Sequence, residues 1–222
     1  MNEWITPRQF HEADGVEDWR VLGDGACASF RVGSFEAGAR LVDAISRLAG
    51  IDDHQPDVDL RRDGVTVRLI TYTDDHYGMS RRDVERARRI SALARDLGLA
   101  ADPAGVEAVG PLVIDALAIP AVLPFWRALF AYESRADNPG EDLIDPRGRG
   151  PSVWFQQMDA PRPQRNRIHV VVWVPHEQAE ARVAAAIAAG GHLVTDEFAP
   201  AWWVLADAEG NEADVATTMS RD

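Results

Sequence analysis

The chain has 222 residues, 46% hydrophobic and 27% charged, enough for one large domain or two small ones with proper cores. Its net charge is −13, which argues against nucleic acid as a partner, because phosphate binding needs a basic footprint. The single cysteine, Cys27, excludes an internal disulfide, and its apolar setting marks it as a small buried residue. No secretory pattern opens the sequence and no stretch reaches membrane-span length, so a cytoplasmic location is the default expectation.

Taken in chain order, Thr6-Pro7 reads as a helix start, with Thr6 the N-cap and Pro7 at the first helical position. Residues 19–32 alternate around Gly23-Asp24-Gly25 and predict a hairpin. Ser34 caps a helix whose apolar spacing runs to Leu48, with Gly50 closing it. Residues 57–73 predict a strand pair turning at Asp63-Gly64. Ser80, with Asp83 three residues on, opens a long helix that stops at Gly98. Its Arg81, Arg82, Arg86, Arg88 and Arg89, mixed with Asp83 and Glu85, read as a solvated helix face. The expected fold class of this half is α+β, an antiparallel sheet with helices on one face.

Residues 101–108 are the candidate linker, leaving domains at 1–100 and 109–222. Beyond it comes a strand at 112–117, a helix at 119–130 and three short strands ending near Gln156. The strand at 168–174, a helix at 177–189 and three more strands repeat that order, so the second half reads as paired βαβββ modules. No Gly-rich phosphate loop, Cys-pair metal motif or nucleophile elbow is present.

His54-Gln55-Pro56 enters the strand pair that brings Tyr72 back, a cluster suited to acid–base chemistry. The bland alternative for a lone His beside a Pro is a surface residue. The series His54-Gln55-Pro56, Val65-Val67-Leu69-Thr71-Tyr72, Gly78-Met79-Ser80 and Asp83, with Ile5-Thr6-Pro7 and Trp19 before it, resembles the pterin-4a-carbinolamine dehydratase family over roughly the first hundred residues. That resemblance implies a pterin substrate and loss of water from a 4a-hydroxytetrahydropterin. It implies a site at His54, Gln55, Tyr72 and Asp83. The family uses three His; here Gln55 and Tyr72 stand at the second and third, and His76, in a lengthened loop, is the candidate substitute. Weak or no turnover is expected unless His76 substitutes, because losing a general acid or base typically costs about 10²- to 10⁴-fold.

The doubled module, Phe125-Trp126 and Asp207-Ala208-Glu209-Gly210-Asn211 resemble the glyoxalase-like (vicinal oxygen chelate) family from about residue 109 onward. That resemblance implies a small-molecule site and, in many members, a divalent metal. The matching ligand candidates are His169, Asp214 and Gln156; the first-strand ligand would fall near Pro111 and Leu112, and Asp115 replaces it only with a shifted register. Trp154, Trp173, Trp202 and Trp203 either line a pocket or fill a core or dimer interface. Both resemblances imply a homodimer or higher assembly. Three functions follow: a pterin lyase, a metal-dependent glyoxalase-like enzyme with a structural first domain, or a non-catalytic ligand-binding or regulatory oligomer.

Overall fold

The computed structural model describes residues 4–23, 25–106, 110–161, 169–217 and 219. The chain divides into two compact units, Met1–Val109 and Gly110–Asp222.

The N-terminal unit runs β1 (Trp4–Ile5), α1 (Pro7–His11), β2 (Arg20–Leu22), β3 (Gly25–Arg31), α2 (Phe35–Ser46), β4 (Asp57–Leu60), β5 (Gly64–Leu69), β6 (Thr71–Thr73), β7 (His76–Ser80), α3 (Arg81–Asp96) and β8 (Ala100–Ala101). α1 starts where the sequence places it: Thr6 Oγ1 accepts from Gln9 N at 3.2 Å, and Gln9 Oε1 accepts from Thr6 N at 2.8 Å. The main sheet has the order β2-β3-β5-β4, all antiparallel, with β8 added to β3. Inward residues alternate along β3 and β5, so Ala26, Ala28, Phe30, Val65, Val67 and Leu69 all enter one core. Phe10, Leu41 and Ile90, from α1, α2 and α3 in turn, meet them there.

Two features depart from the sequence reading. The strand pair does not continue through residue 73. After Leu69 the chain leaves the main sheet, and β6 pairs with β7 in a second sheet of order β1-β7-β6. The arginine run on α3 is only in part a solvated face: Arg81, Arg88 and Arg89 are exposed, whereas Arg86 is buried, and four of the five bind backbone carbonyls. Arg82 donates to Asp53 O at 2.7 Å, Arg86 to Gly50 O at 2.6 Å and Arg89 to Ala49 O at 2.8 Å. These carbonyls follow the end of α2, where backbone acceptors have no helical partner, and guanidinium groups fill the need. Arg88 reaches Asp14 O at 2.6 Å in the same way, and Arg86 is only 6% exposed. Cys27 is buried, as its setting predicts.

The C-terminal unit runs β9 (Leu112–Ala116), α4 (Ile119–Phe130), β10 (Glu133–Ser134), β11 (Asp142–Ile144), β12 (Val153–Gln157), β13 (Val170–Trp173), α5 (His176–Ala188), β14 (His192–Thr195), β15 (Trp202–Ala206) and β16 (Glu212–Ala216). The strand orders β10-β11-β12-β9 and β13-β16-β15-β14 are the same topology twice. In each module the first and last strands pair in parallel and the rest are antiparallel. α4 and α5 cover one face, sharing a core in which Phe125, Leu129, Val183 and Leu205 pack. Ile168, placed in the β13 strand by its sequence, lies outside the described residues.

The Asp207-to-Asn211 turn explains its own composition. The buried Asp207 carboxylate accepts from Glu209 N, Asn211 N, Asn211 Nδ2 and, from α4, Trp126 Nε1, at 2.8–2.9 Å. Glu209 then accepts from Leu117 N and Ala118 N at 2.9 and 2.7 Å, satisfying free amides just before α4. The second module's last hairpin is thereby fastened to the first module's helix.

Candidate functional site

The focus of the N-terminal unit is Asp83, the third residue of α3, fully buried. Its Oδ1 lies 2.8 Å from His54 Nε2. Its Oδ2 accepts from Ser80 N at 2.6 Å and Thr71 Oγ1 at 2.8 Å, with Ser80 Oγ at 3.0 Å. Thr71 Oγ1 and Ser80 Oγ are also 2.7 Å apart. Two hydroxyl protons serve three short contacts, so one hydroxyl donates to the carboxylate and the other donates to its neighbour.

An ionised carboxylate only accepts, so His54 donates from Nε2. The neutral ring then carries its lone pair on Nδ1. That nitrogen has no partner among the described residues, and His54 as a whole is 8% exposed. The backbone at His54 is fixed too, since His54 N donates to Ile51 O at 3.1 Å and Arg82 holds the preceding carbonyl. The result is an oriented imidazole with one nitrogen available for proton exchange. His54 is not the surface residue that the bland reading allows.

The hairpin β6–β7 sorts the remaining candidates by face. Thr71 stands opposite Gly78, Tyr72 opposite Tyr77, and Thr73 opposite His76. Alternation puts Thr71, Thr73, His76, Gly78 and Ser80 on one face, the face of Asp83, and Tyr72 and Tyr77 on the other. Tyr72 is 72% exposed and stacks on Tyr77 at 6.4 Å, while Arg68 donates to the Tyr77 hydroxyl at 3.2 Å. Gln55 is exposed. The structure therefore joins His54 to Asp83 directly, sets His76 on their side of the hairpin and turns Tyr72 away. Thr71 and Ser80 belong to this cluster although sequence reasoning singled out neither as a site residue. Their signal was present: Ser80 caps the helix whose third residue is Asp83, and Thr71 alternates with Tyr72.

In the C-terminal unit the candidates form two pairs. His169 Nε2 lies 3.5 Å from Asp214 Oδ2, and Asp214 on β16 is in register with Val171 of β13. Gln156 on β12 is in register with Asp115 on β9. That second pair borders a cavity of about 240 Å³ lined by Asp115, Gln156, Gln157, Met158, Asp159 and Ala160. A divalent ion takes three or more good donors. No group of three or more His, Cys, Asp or Glu is placed to hold one among the described residues. Among the described residues, the His, Cys, Asp and Glu side chains do not by themselves fit a metal centre. Trp154 and Trp173 are 40% and 55% exposed, so these two do not fill the core.

Comparison with known proteins fits this division. Residues 5–93 match the family model for pterin 4 alpha carbinolamine dehydratase, and residues 111–216 match the model for a glyoxalase-like domain. A Nocardia farcinica protein named "Putative pterin-4-alpha-carbinolamine dehydratase" is 37% identical over 80 residues, covering 36% of this chain and 82% of the relative. A Mycobacterium leprae protein of the same name is 33% identical over 81 residues, covering 36% and 84%. Among solved structures, a glyoxalase-related enzyme from Fulvimarina pelagi is 16% identical, covers 50% of this chain and 88% of its own, and has a TM-score of 0.41. A fosfomycin resistance protein from Listeria monocytogenes is 9% identical, covers 53% and 95%, and has a TM-score of 0.41. The chain belongs to the pterin 4 alpha carbinolamine dehydratase family through its N-terminal unit, to which it joins a glyoxalase-like domain.

Proposed function

We propose that the N-terminal unit dehydrates a 4a-hydroxytetrahydropterin, with His54 exchanging the proton. The observation that carries this reading is the buried Asp83 carboxylate on His54 Nε2 at 2.8 Å, which leaves Nδ1 without a partner among the described residues. A base so held takes the N5 proton, and the ion pair that results is stabilised by the carboxylate beside it. Gln55 exchanges no protons usefully, and Tyr72 is on the far face, so turnover is slow for the family. The C-terminal unit binds a small molecule on its open sheet face, where Trp154, Trp173, Gln156, His169 and Asp214 stand. The assembly is a cytoplasmic homodimer or larger.

The test supplies the carbinolamine to the purified chain and follows quinonoid dihydropterin by absorbance. Turnover above the buffer rate that His54→Ala removes, with the variant's circular dichroism unchanged, supports the reading. Buffer-rate behaviour of the wild type refutes it.

A further inference from the structure

We infer that His76 is the second proton-transfer group of this site, donating to the leaving 4a-hydroxyl while His54 takes the N5 proton. This rests on the dehydratase reading above. Three observations converge. The β6–β7 register puts His76 on the same face as Thr71 and Ser80, the two hydroxyls bound to Asp83. The ring also leans along β7 toward them: a Cβ built on Gly78 would sit 3.1 Å from His76 Nε2, so the imidazole lies over the glycine instead of out at the hairpin tip. Gly78 is the residue opposite Thr71. Finally, β1 sets Trp4 opposite Ser80, and the Trp4 ring meets the His76 ring at 3.7 Å between centroids.

Trp4 thus backs the imidazole from one side, and the missing side chain at Gly78 makes room on the other. His76 Cα and Ser80 Cα are four residues apart on an extended strand, roughly 13 Å. The lean over Gly78 shortens that gap toward the span of a bicyclic substrate. Neither nitrogen of His76 is hydrogen-bonded among the described residues. The charged groups of its own hairpin are Asp74 and Asp75, the latter accepting from Thr73 Oγ1 at 2.7 Å. From β1 come Trp4 and Ile5, and from α3 comes Asp83, behind Thr71 and Ser80.

The step balances without a co-reactant. The N5–H bond breaks, its proton goes to His54 Nδ1, and its electron pair forms the N5=C4a bond. The C4a–O bond breaks with its pair on oxygen, which takes a proton from the His76 imidazolium and leaves as water. Exchange with solvent resets both rings.

The test compares wild type, His76→Ala, His76→Gln, Gly78→Ala and Tyr72→Phe in pH–rate profiles of carbinolamine dehydration. Wild type is expected to show a bell with two limbs. Both His76 variants lose one limb and about 10²- to 10⁴-fold in kcat, with KM little changed. Added imidazole restores part of the His76→Ala rate, which a merely structural role would not allow. Gly78→Ala, which displaces the ring, falls between, and Tyr72→Phe behaves as wild type. Full rate and both limbs in His76→Gln would overturn the inference and leave the dehydratase reading standing. A wild type without turnover would end that reading, and the role of His76 with it.

Discussion

Asp83 is the most consequential single atom group in the N-terminal unit, and its replacement separates support from chemistry. In Asp83→Ala, three buried donors lose their acceptor: Ser80 N–H, His54 Nε2–H and one hydroxyl of the Thr71–Ser80 pair. Each stranded donor costs about 1–3 kcal/mol, so about 3–6 kcal/mol is expected after partial relaxation. That is a large share of the roughly 5–15 kcal/mol that holds a domain together. Asp83→Asn behaves differently. Its one oxygen is best spent at the Oδ2 position, where Ser80 N and the hydroxyls converge, which leaves the amide NH₂ facing His54 Nε2. The imidazole then accepts at Nε2 and carries its proton on Nδ1, so the second nitrogen changes from acceptor to donor. Stability drops by only about 1–2 kcal/mol, while dehydration slows roughly 10²- to 10⁴-fold. Urea midpoints at constant m-value read the first effect, and nitrogen-15 shifts of His54 with turnover rates read the second. The reasoning fails if Asp83→Ala loses less than about 1 kcal/mol, or if Asp83→Asn keeps its rate within about threefold.

Other expectations follow from single contacts. Burial pushes the Cys27 thiol up, so its thiolate is scarcer than usual at any pH below its own titration. Iodoacetamide at pH 8 is therefore expected to label native protein far more slowly than urea-unfolded protein, and equal rates would show that Cys27 is accessible. Glu209→Gln replaces the carboxylate that takes Leu117 N and Ala118 N ahead of α4, and is expected to cost about 0.5–2 kcal/mol in a urea melt of the C-terminal unit. Metal analysis of protein purified without chelator is expected to find no stoichiometric divalent ion that His169→Ala removes. A His169-dependent equivalent of zinc or manganese would show that a third donor completes the His169–Asp214 pair.

Much of the fold is legible because local signals and tertiary demands agree. Thr6-Pro7-Arg8-Gln9 caps α1 in its sequence-read form, and the doubled order of elements in residues 112–216 shows the two modules although their sequences do not resemble each other. What the sequence hides is pairing at long range. Trp4 and Ile5 look like a short lead-in to α1, yet they form β1 against β7, some 75 residues away, and that contact positions His76. The arginine run misleads in part, for a related reason. Helical spacing says which residues share a face but not that the turn after α2 presents bare carbonyls to it. At the site, His54 and Asp83 are nameable from the motif, whereas the sorting of His76 and Tyr72 onto opposite faces depends on the register of a hairpin whose break at Ile70 no composition marks.

Each unit is built around one fully buried aspartate, and the contrast between the two locates the chemistry. Asp83 and Asp207 both gather donors from a tight turn and from one distant ring. Around Asp207 every donor is a group that keeps its proton at neutral pH: two backbone amides, the Asn211 amide and the Trp126 indole. Such a cluster fixes shape and does nothing else. Around Asp83 one donor is an imidazole whose second nitrogen is unpaired among the described residues. Asp207→Asn should accordingly cost at least as much stability as the roughly 1–2 kcal/mol of Asp83→Asn, because its amide NH₂ meets donors that cannot become acceptors, whereas His54 can turn from donor to acceptor. Only Asp83→Asn should alter a rate. Parallel urea melts and dehydration assays of the pair make the comparison directly. A dehydration rate lowered as much by Asp207→Asn as by Asp83→Asn would mean that turnover follows the general integrity of the chain, and the case for His54 as an oriented base would lose its footing.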